Sequence, residues 1–285
     1  MASRVAHYRN GFSRIEVCVV LVTLGLLAAI TIPAVQSARE SARQTQCRYT
    51  LKQLALALHN YHDAMGSFPY GCIGNPVLPA EKRWSWYLCL GNHWGHYGTP
   101  IIDYTRPWDD PTLRPLRLHT WRNEPFEEFD VPLVPFPVIK CPNGTRSVYS
   151  DGQPLTDYVG TAGIATDAAL LPRSSNRSGV WAYNERSSLA DVKDGISTTL
   201  IAIETNTQNG CWLAGGYATI RDYSPDDASI GHDGQFGGLH HGGGMAVFVD
   251  GHVKFLADAI SPDVLTSLLT IAGSETVADS AVMSP

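Results

Sequence analysis

The chain has 285 residues, 44% of them hydrophobic and 17% charged, which is enough apolar mass for one large domain or two small ones and excludes a disordered tail or a fibre. Its 21 Lys and Arg against 27 Asp and Glu give a formal net charge of −6 at pH 7. Without a basic excess to neutralise phosphates, a general nucleic-acid binder is excluded and no nucleic-acid partner is expected.

The first element in chain order is the uncharged run 17–38, VCVVLVTLGLLAAITIPAVQSA. As a helix rising ~1.5 Å per residue it spans roughly 33 Å, enough to cross a hydrocarbon layer of ~30 Å. A buried core helix of a soluble domain is the competing reading, but such helices usually show a polar face and this run has none. Before it lies a short polar leader, MASRVAHYRNG, carrying Arg4 and Arg9, and no small-residue cleavage site follows the apolar region as in an ordinary secretory signal. Basic residues flank the run on both sides, with Arg4, Arg9 and Arg14 before it and Arg39, Arg43, Arg48 and Lys52 after it, so charge does not fix the orientation.

Glu16 stands at the mouth of the apolar run, where a carboxylate is costly to desolvate and requires a neutralising partner. A basic leader, Gly11 followed by Phe12, Glu16 four residues on, then about twenty apolar residues interrupted by Pro33, resembles the class III signal of type IV prepilins and pseudopilins. The resemblance implies that a membrane-embedded prepilin peptidase cuts between Gly11 and Phe12 and methylates the new amino terminus. It also implies that Glu16 pairs with the N-terminal amine of a neighbouring subunit during filament assembly. Arg14 brings a charge the family pattern does not expect there, either pairing with Glu16 inside one chain or staying at the membrane interface. Pro33 is expected to bend the helix within the bilayer.

The helix is expected to continue beyond the membrane. Residues 36–65 contain no Gly or Pro and place Cys47, Leu51, Leu54, Leu58 and Tyr61 on one face at steps of four and three, a core-packing stripe. Gly66 supplies a stop and Pro69 prevents continuation, so one helix from Phe12 to Met65, ~80 Å long, is predicted. The chain then reads as a leader 1–11, a transmembrane helix 12–35, its extracytoplasmic continuation 36–66, and a β-rich head 67–285.

Within the head, segment 67–142 carries Trp84, Trp86, Trp94, Trp108 and Trp121 among many prolines, and 100–142, with VPLVPFPV at 131–138, reads as variable loops with short edge strands. Strands are predicted at Tyr158–Thr161, Val180–Tyr183, Thr199–Glu204 and Gly216–Ile220. The clearest hairpin is 245–256, with Asp250-Gly251 as a two-residue turn, both residues at positive φ, facing Val249 to His252. That register puts Ala246, Phe248, Val253 and Phe255 on a core face and Val247, Val249, His252 and Lys254 on the other. A terminal helix is signalled by Ser261 as N-cap, Pro262 in the first turn and Asp263 near its positive end, running to about Ile271.

LKQLALALHNYHDAMGSFPYG at 51–71, Cys141-Pro142, TDYVGTAG at 156–163, GISTTLIAIET at 195–205, HHGGGMAVFVDGHVKFL at 240–256 and LLTIAGSET at 268–276 occur in this order. Together they resemble a bacterial family of prepilin-like proteins that carries a C-terminal H-x9-DG motif and is formally a domain of unknown function. The motif maps onto His240, Asp250 and Gly251, and Met245 stands where the family often has Asn. The resemblance implies an α+β, pilin-like fold, with a long N-terminal transmembrane and amphipathic helix packed on an antiparallel β-sheet head with long loops. It implies a single-pass protein of the inner (cytoplasmic) membrane, its head on the extracytoplasmic side or in a surface filament. The partners implied are prepilin peptidase, other pilin-like subunits or further copies of itself, and the lipid bilayer.

His240, His241, Asp250 and His252, with His232-Asp233 upstream and His93 and His96 farther off, are metal-ligand types, but their spacing is not that of a known metal motif. The reading adopted is architectural: Asp250-Gly251 makes the turn and His240 hydrogen-bonds backbone near Gly242, Gly243 and Gly244. No Lys-Ser/Thr follows those glycines, so they are not a phosphate loop. The loop RDYSPDDASIGHDG, with Asp222, Asp226 and Asp227, resembles a Ca²⁺ loop in composition but lacks EF-hand spacing and reads as solvated surface. No catalytic motif appears, and no catalytic residue, metal or cofactor is expected. Cys47, Cys72, Cys89, Cys141 and Cys211 lie outside the apolar run, Cys18 within it, and an exported head makes disulfides plausible without fixing their connectivity. Two functions fit: a pilin- or pseudopilin-like subunit of a pilus or type II secretion filament, and an anchored extracytoplasmic binding or enzymatic module that uses the prepilin signal only for insertion and recognises a ligand such as a glycan, with loop tryptophans stacking on sugars.

Overall fold

The computed structural model describes residues 13–93, 102–113, 139–144 and 155–273. The leader 1–11 with Gly11, together with Phe12, Trp94, His96, Trp121 and the segment 131–138, lies outside the described residues. The chain divides into two compact units, 1–42 and 43–285.

Helix α1 runs over Arg14–Met65, 52 residues, within two residues of the predicted start and with the predicted end. In the first unit it is long and apolar enough to cross a membrane by length and composition. Its apolar side chains are exposed all round, from Val17 through Leu24 and Ile30 to Val35, as a lipid-facing segment requires. Its hydroxyls are satisfied within the helix: Thr23 Oγ1 donates to the Val20 carbonyl at 2.9 Å and Thr31 Oγ1 to the Leu27 carbonyl at 2.8 Å. Pro33 lies inside the helix and removes the N–H that would otherwise reach the Ala29 carbonyl.

In the second unit the remainder of α1 buries Cys47, Thr50, Leu51, Leu54, Ala55, Ala57 and Leu58, the predicted stripe widened by its small neighbours. Tyr61 is half-buried at the edge of the same core. Gly66 ends the helix at φ +74°, its N–H donating to the His62 carbonyl at 2.7 Å.

The head is organised on five strands, β3 (Tyr158–Ile164), β4 (Leu200–Glu204), β5 (Ile220–Tyr223), β6 (Gly243–Phe248) and β7 (Val253–Ala257), in the order β5-β3-β4-β6-β7. A separate two-stranded ladder pairs β1 (Cys72–Ile73) with β2 (Trp84–Ser85). The main sheet is not wholly antiparallel, as expected from sequence, because β5 lies parallel to β3. Of the four predicted strands, β3 and β4 fall where expected. Gly216–Ala218 forms a 3-10 turn and the strand starts at Ile220. Val180–Tyr183 forms no ladder; its neighbourhood attaches to β3 through Gly179 N–H to the Ala162 carbonyl and Trp181 N–H to the Thr161 carbonyl.

Both sheet faces are covered. One core joins the α1 stripe to Tyr158, Ala162, Met245, Val247 and Val249. The second joins Val159, Ile203, Ala246, Phe248 and Leu256 to Leu265, Leu268 and Leu269 of helix α2 (Pro262–Leu269). Ser261 caps α2 as predicted, its Oγ accepting from the Val264 N–H at 3.3 Å.

The hairpin corrects the sequence reading. Val247 pairs with Val253 and Met245 with Phe255, which leaves Val249, Asp250 and Gly251 as a three-residue loop. The register is therefore one residue away from the two-residue turn. Val247 and Val253 share one face, while Ala246 and Phe248 go to the other. Gly251 has φ +85° and Asp250 is not at positive φ, the usual pattern of a three-residue loop. Alternation failed as a guide because β6 is buried on both faces.

The tryptophans are a second correction. Trp84, Trp86, Trp181 and Trp212 are 0–1% exposed, and Trp108 packs at the core edge with its indole N–H donating to the Glu81 carbonyl. Trp86 lies against Trp181, ring centroids 4.3 Å apart. Their N–H groups reach the Thr219 and Ile201 carbonyls at 3.1 and 2.6 Å. These rings build the core and are not sugar-stacking platforms.

Candidate functional site

At the N-terminus of α1, Ser13 and Glu16 form the start of the helix. The Ser13 N–H donates to Glu16 Oε2 at 2.7 Å, and Ser13 Oγ accepts from the Ile15 N–H at 3.2 Å. This follows the Ser-x-x-Glu pattern by which a helix satisfies its first donors. A carboxylate here also meets the positive end of the helix dipole. Glu16 thus has a local role as a cap in addition to the assembly role the family resemblance implies.

The H-x9-DG residues divide between two places. Asp250 and Gly251 sit in the hairpin loop. Asp250 Oδ1 accepts from the His252 N–H at 3.0 Å and lies 2.6 Å from His252 Nδ1, while the His252 ring stacks on Phe248 with centroids 4.1 Å apart. A Cβ added to Gly251 would lie 3.5 Å from Ala55 Cβ and 3.7 Å from the His59 ring, so the loop packs closely on α1. Gly243 and Gly244 are strand residues of β6.

His240 lies elsewhere, with its side chain fully buried. Its Nε2 is 3.4 Å from Cys141 Sγ and 3.5 Å from Glu204 Oε1, and its Nδ1 is 3.2 Å from Asn143 Nδ2. Only the His240 backbone carbonyl faces the glycine run, accepting from the Gly243 N–H. The imidazole meets the side chains of Cys141, Glu204 and Asn143, while the backbone bond near the glycines is made by the His240 carbonyl. Glu204, the last residue of β4, accepts the Met245 N–H on Oε2 at 3.0 Å. Cys141 is bonded to Cys47 of α1 in a disulfide with Cα atoms 5.4 Å apart, a connectivity the sequence left open. The Cys141 N–H donates to Asp157 Oδ2 at 2.8 Å; burial pushes the Asp157 carboxyl up, against the pull of Lys140 at 3.2 Å. Cys47, Cys141, Glu204 and His240 are all buried and place one donor atom each within 4.8 Å of one another.

Of the histidines and aspartates singled out in the sequence, only His240 enters this cluster among the described residues. His241, His232 and Asp233 are exposed, and Asp226 and Asp227 lie in an exposed turn. Sequence reasoning missed Glu204 and the pairing of the two cysteines. One signal was present: Glu204 closes the run LIAI in a strand whose every residue is buried, where a carboxylate needs a specific partner.

Comparison with known proteins accords with this architecture. The family model described as "Protein of unknown function (DUF1559)" matches residues 36–223, a span that ends before His240. The type II secretion system core protein G of Pseudomonas aeruginosa is 42% identical over 110 residues, covering 36% of this chain and 70% of that protein. No solved structure matches. With an apolar N-terminal helix, an α+β head and a family match over most of its length, the chain belongs to the DUF1559 family of prepilin-like proteins.

Proposed function

We propose that this chain is a membrane-anchored structural subunit that is processed by prepilin peptidase between Gly11 and Phe12 and assembles with pilin-like partners into a pilus or a type II secretion filament. The observation that carries the reading is α1 itself: a helix whose first part exposes apolar side chains on every side, opened by Glu16, and whose second part is built into a folded head. Similarity to a type II secretion core protein supports it. The head lies on the extracytoplasmic side of the inner membrane, where the Cys47–Cys141 disulfide is at home. The role is architectural, with no reaction of its own. Pro33 bends the helix in the bilayer, and Glu16 exchanges its cap for the amine of a neighbouring subunit on assembly. The burial of Trp84 and Trp86 takes two of the tryptophans of segment 67–142 out of reach of a sugar and weakens the reading as a glycan-binding module.

Mass spectrometry of the mature N-terminus tests the processing step, with N-methyl-Phe12 as the expected product and Gly11→Val blocking it; an intact Met1 would sink it. Cross-linking in membranes tests assembly. Glu16→Val is expected to insert normally and lose the ladder of subunit-containing products, whereas unchanged cross-linking would favour an anchor carrying an independent binding module.

A further inference from the structure

We propose that Cys47, Cys141, Glu204 and His240 are the ligands of a zinc-class divalent metal site that forms when the Cys47–Cys141 disulfide is reduced. The four donors come from four separate segments: helix α1, the stretch 139–144, the end of β4 and the loop before β6. All are buried, and their donor atoms already lie within 4.8 Å of one another. Two thiolates, one imidazole and one carboxylate make a tetrahedral set of the kind zinc accepts. A cross-link alone accounts for the two cysteines. It does not account for a fully buried carboxylate and a fully buried imidazole brought to the same sulfurs, both of them costly to take out of water.

The chemistry balances as follows. A dithiol reductant gives two electrons and two protons to the disulfide and itself becomes a disulfide, leaving Cys47 and Cys141 as thiols. Binding of Zn²⁺ then displaces both thiol protons to solvent, and any proton held by the His240–Glu204 pair leaves with them, because coordination requires the neutral imidazole and the ionised carboxylate. Ligation through His240 Nε2 requires the proton on Nδ1. In the disulfide form Asn143 presents its Nδ2 there, also donating to the Leu239 carbonyl at 2.9 Å; a half-turn of that amide presents Oδ1 as the acceptor, as outer-shell partners of metal-bound histidines do. The metal would hold α1 to the sheet in reducing surroundings as the disulfide does in oxidising ones.

The test uses the full-length chain in detergent, reduced with a phosphine and titrated with Co²⁺ and with Zn²⁺. The expected result is about one metal per chain, a tetrahedral Co²⁺ spectrum with a charge-transfer band of two-thiolate intensity, and no such binding by the oxidised protein. Zinc should protect Cys47 and Cys141 of the reduced wild type from alkylation, mapped by mass spectrometry, and leave Cys89 unprotected. His240→Ala and Glu204→Gln should weaken binding by at least about tenfold. A reduced protein without a thiolate–cobalt band would overturn the proposal, as would unchanged affinity in folded His240→Ala or protection confined to Cys18, Cys72, Cys89 or Cys211. If a variant does not fold, the alkylation map of the wild type decides between these outcomes.

Discussion

The two parts of helix α1 differ in how much apolar side chain they carry and use it in opposite ways. Leu24, in the first part, is 57% exposed, as are its neighbours on every side; Leu54, in the second, is 0% exposed, while Leu56 two residues on is 54% exposed. The first part exposes apolar side chains all round, the pattern a single surrounding apolar medium requires. The second concentrates its buried residues at helical spacing because one side meets a protein core and the other water. The amount of apolar side chain and its angular distribution together therefore distinguish the two parts.

The sharpest way to break that comparison is to truncate one leucine in each part. Leu54→Ala should destabilise the head by ~2–5 kcal/mol through lost burial and a cavity, whereas Leu24→Ala should leave head unfolding within ~0.5 kcal/mol of the parent. Denaturant midpoints of the two full-length variants in detergent give the contrast, and equal shifts would show that the first part also packs on the head. Next in size is the covalent tie between the second part and the head. Cys141→Ser opens a link spanning 94 residues of sequence and should cost ~2–5 kcal/mol under oxidising conditions, measured by thermal melting without metal.

Gly251→Val probes the turn that packs on Ala55 and His59 of the same helix. It should cost ~1–3 kcal/mol through the forced positive φ, with or without a chelator. A neutral result would mean that the loop can relax off α1. The smallest effect concerns pH. Because burial raises the Asp157 carboxyl in the folded head, the folded state binds its proton more readily than the unfolded chain. Its contribution to stability therefore falls as pH rises above the ordinary carboxylate range through the raised value. Asp157→Asn should flatten that part of the wild-type pH profile, and a parallel profile would refute the burial argument.

Much of the head was legible piecewise. β3, β4 and the capped helix α2 lie where apolar runs and Ser261-Pro262 put them. The hairpin was located but misregistered, since a strand apolar at Met245, Ala246, Val247 and Phe248 has no alternation from which to choose a face. Trp84 and Trp86 were misread because a Pro-rich setting suggests exposed loops, whereas their hydrogen-bonded indoles lie in the core. His240 was identified as a residue of interest for a motif whose other half, Asp250 and Gly251, has different partners in the fold.

By itself the sequence determined what is local: the long helix ending at Met65, its stop at Gly66 and the cap at Ser261, each set by hydrogen bonds within a few residues and by side-chain period. Tertiary structure alone decided the parallel placement of β5, the register of β6 on β7 and the meeting of Cys47, Cys141, Glu204 and His240. The separations in that cluster, 94 residues between the cysteines and 99 between Cys141 and His240, show the physical reason. No local propensity brings such donors together; they meet because α1 and α2 cover opposite faces of one sheet, and burying both faces fixes which strand edges and loop ends converge.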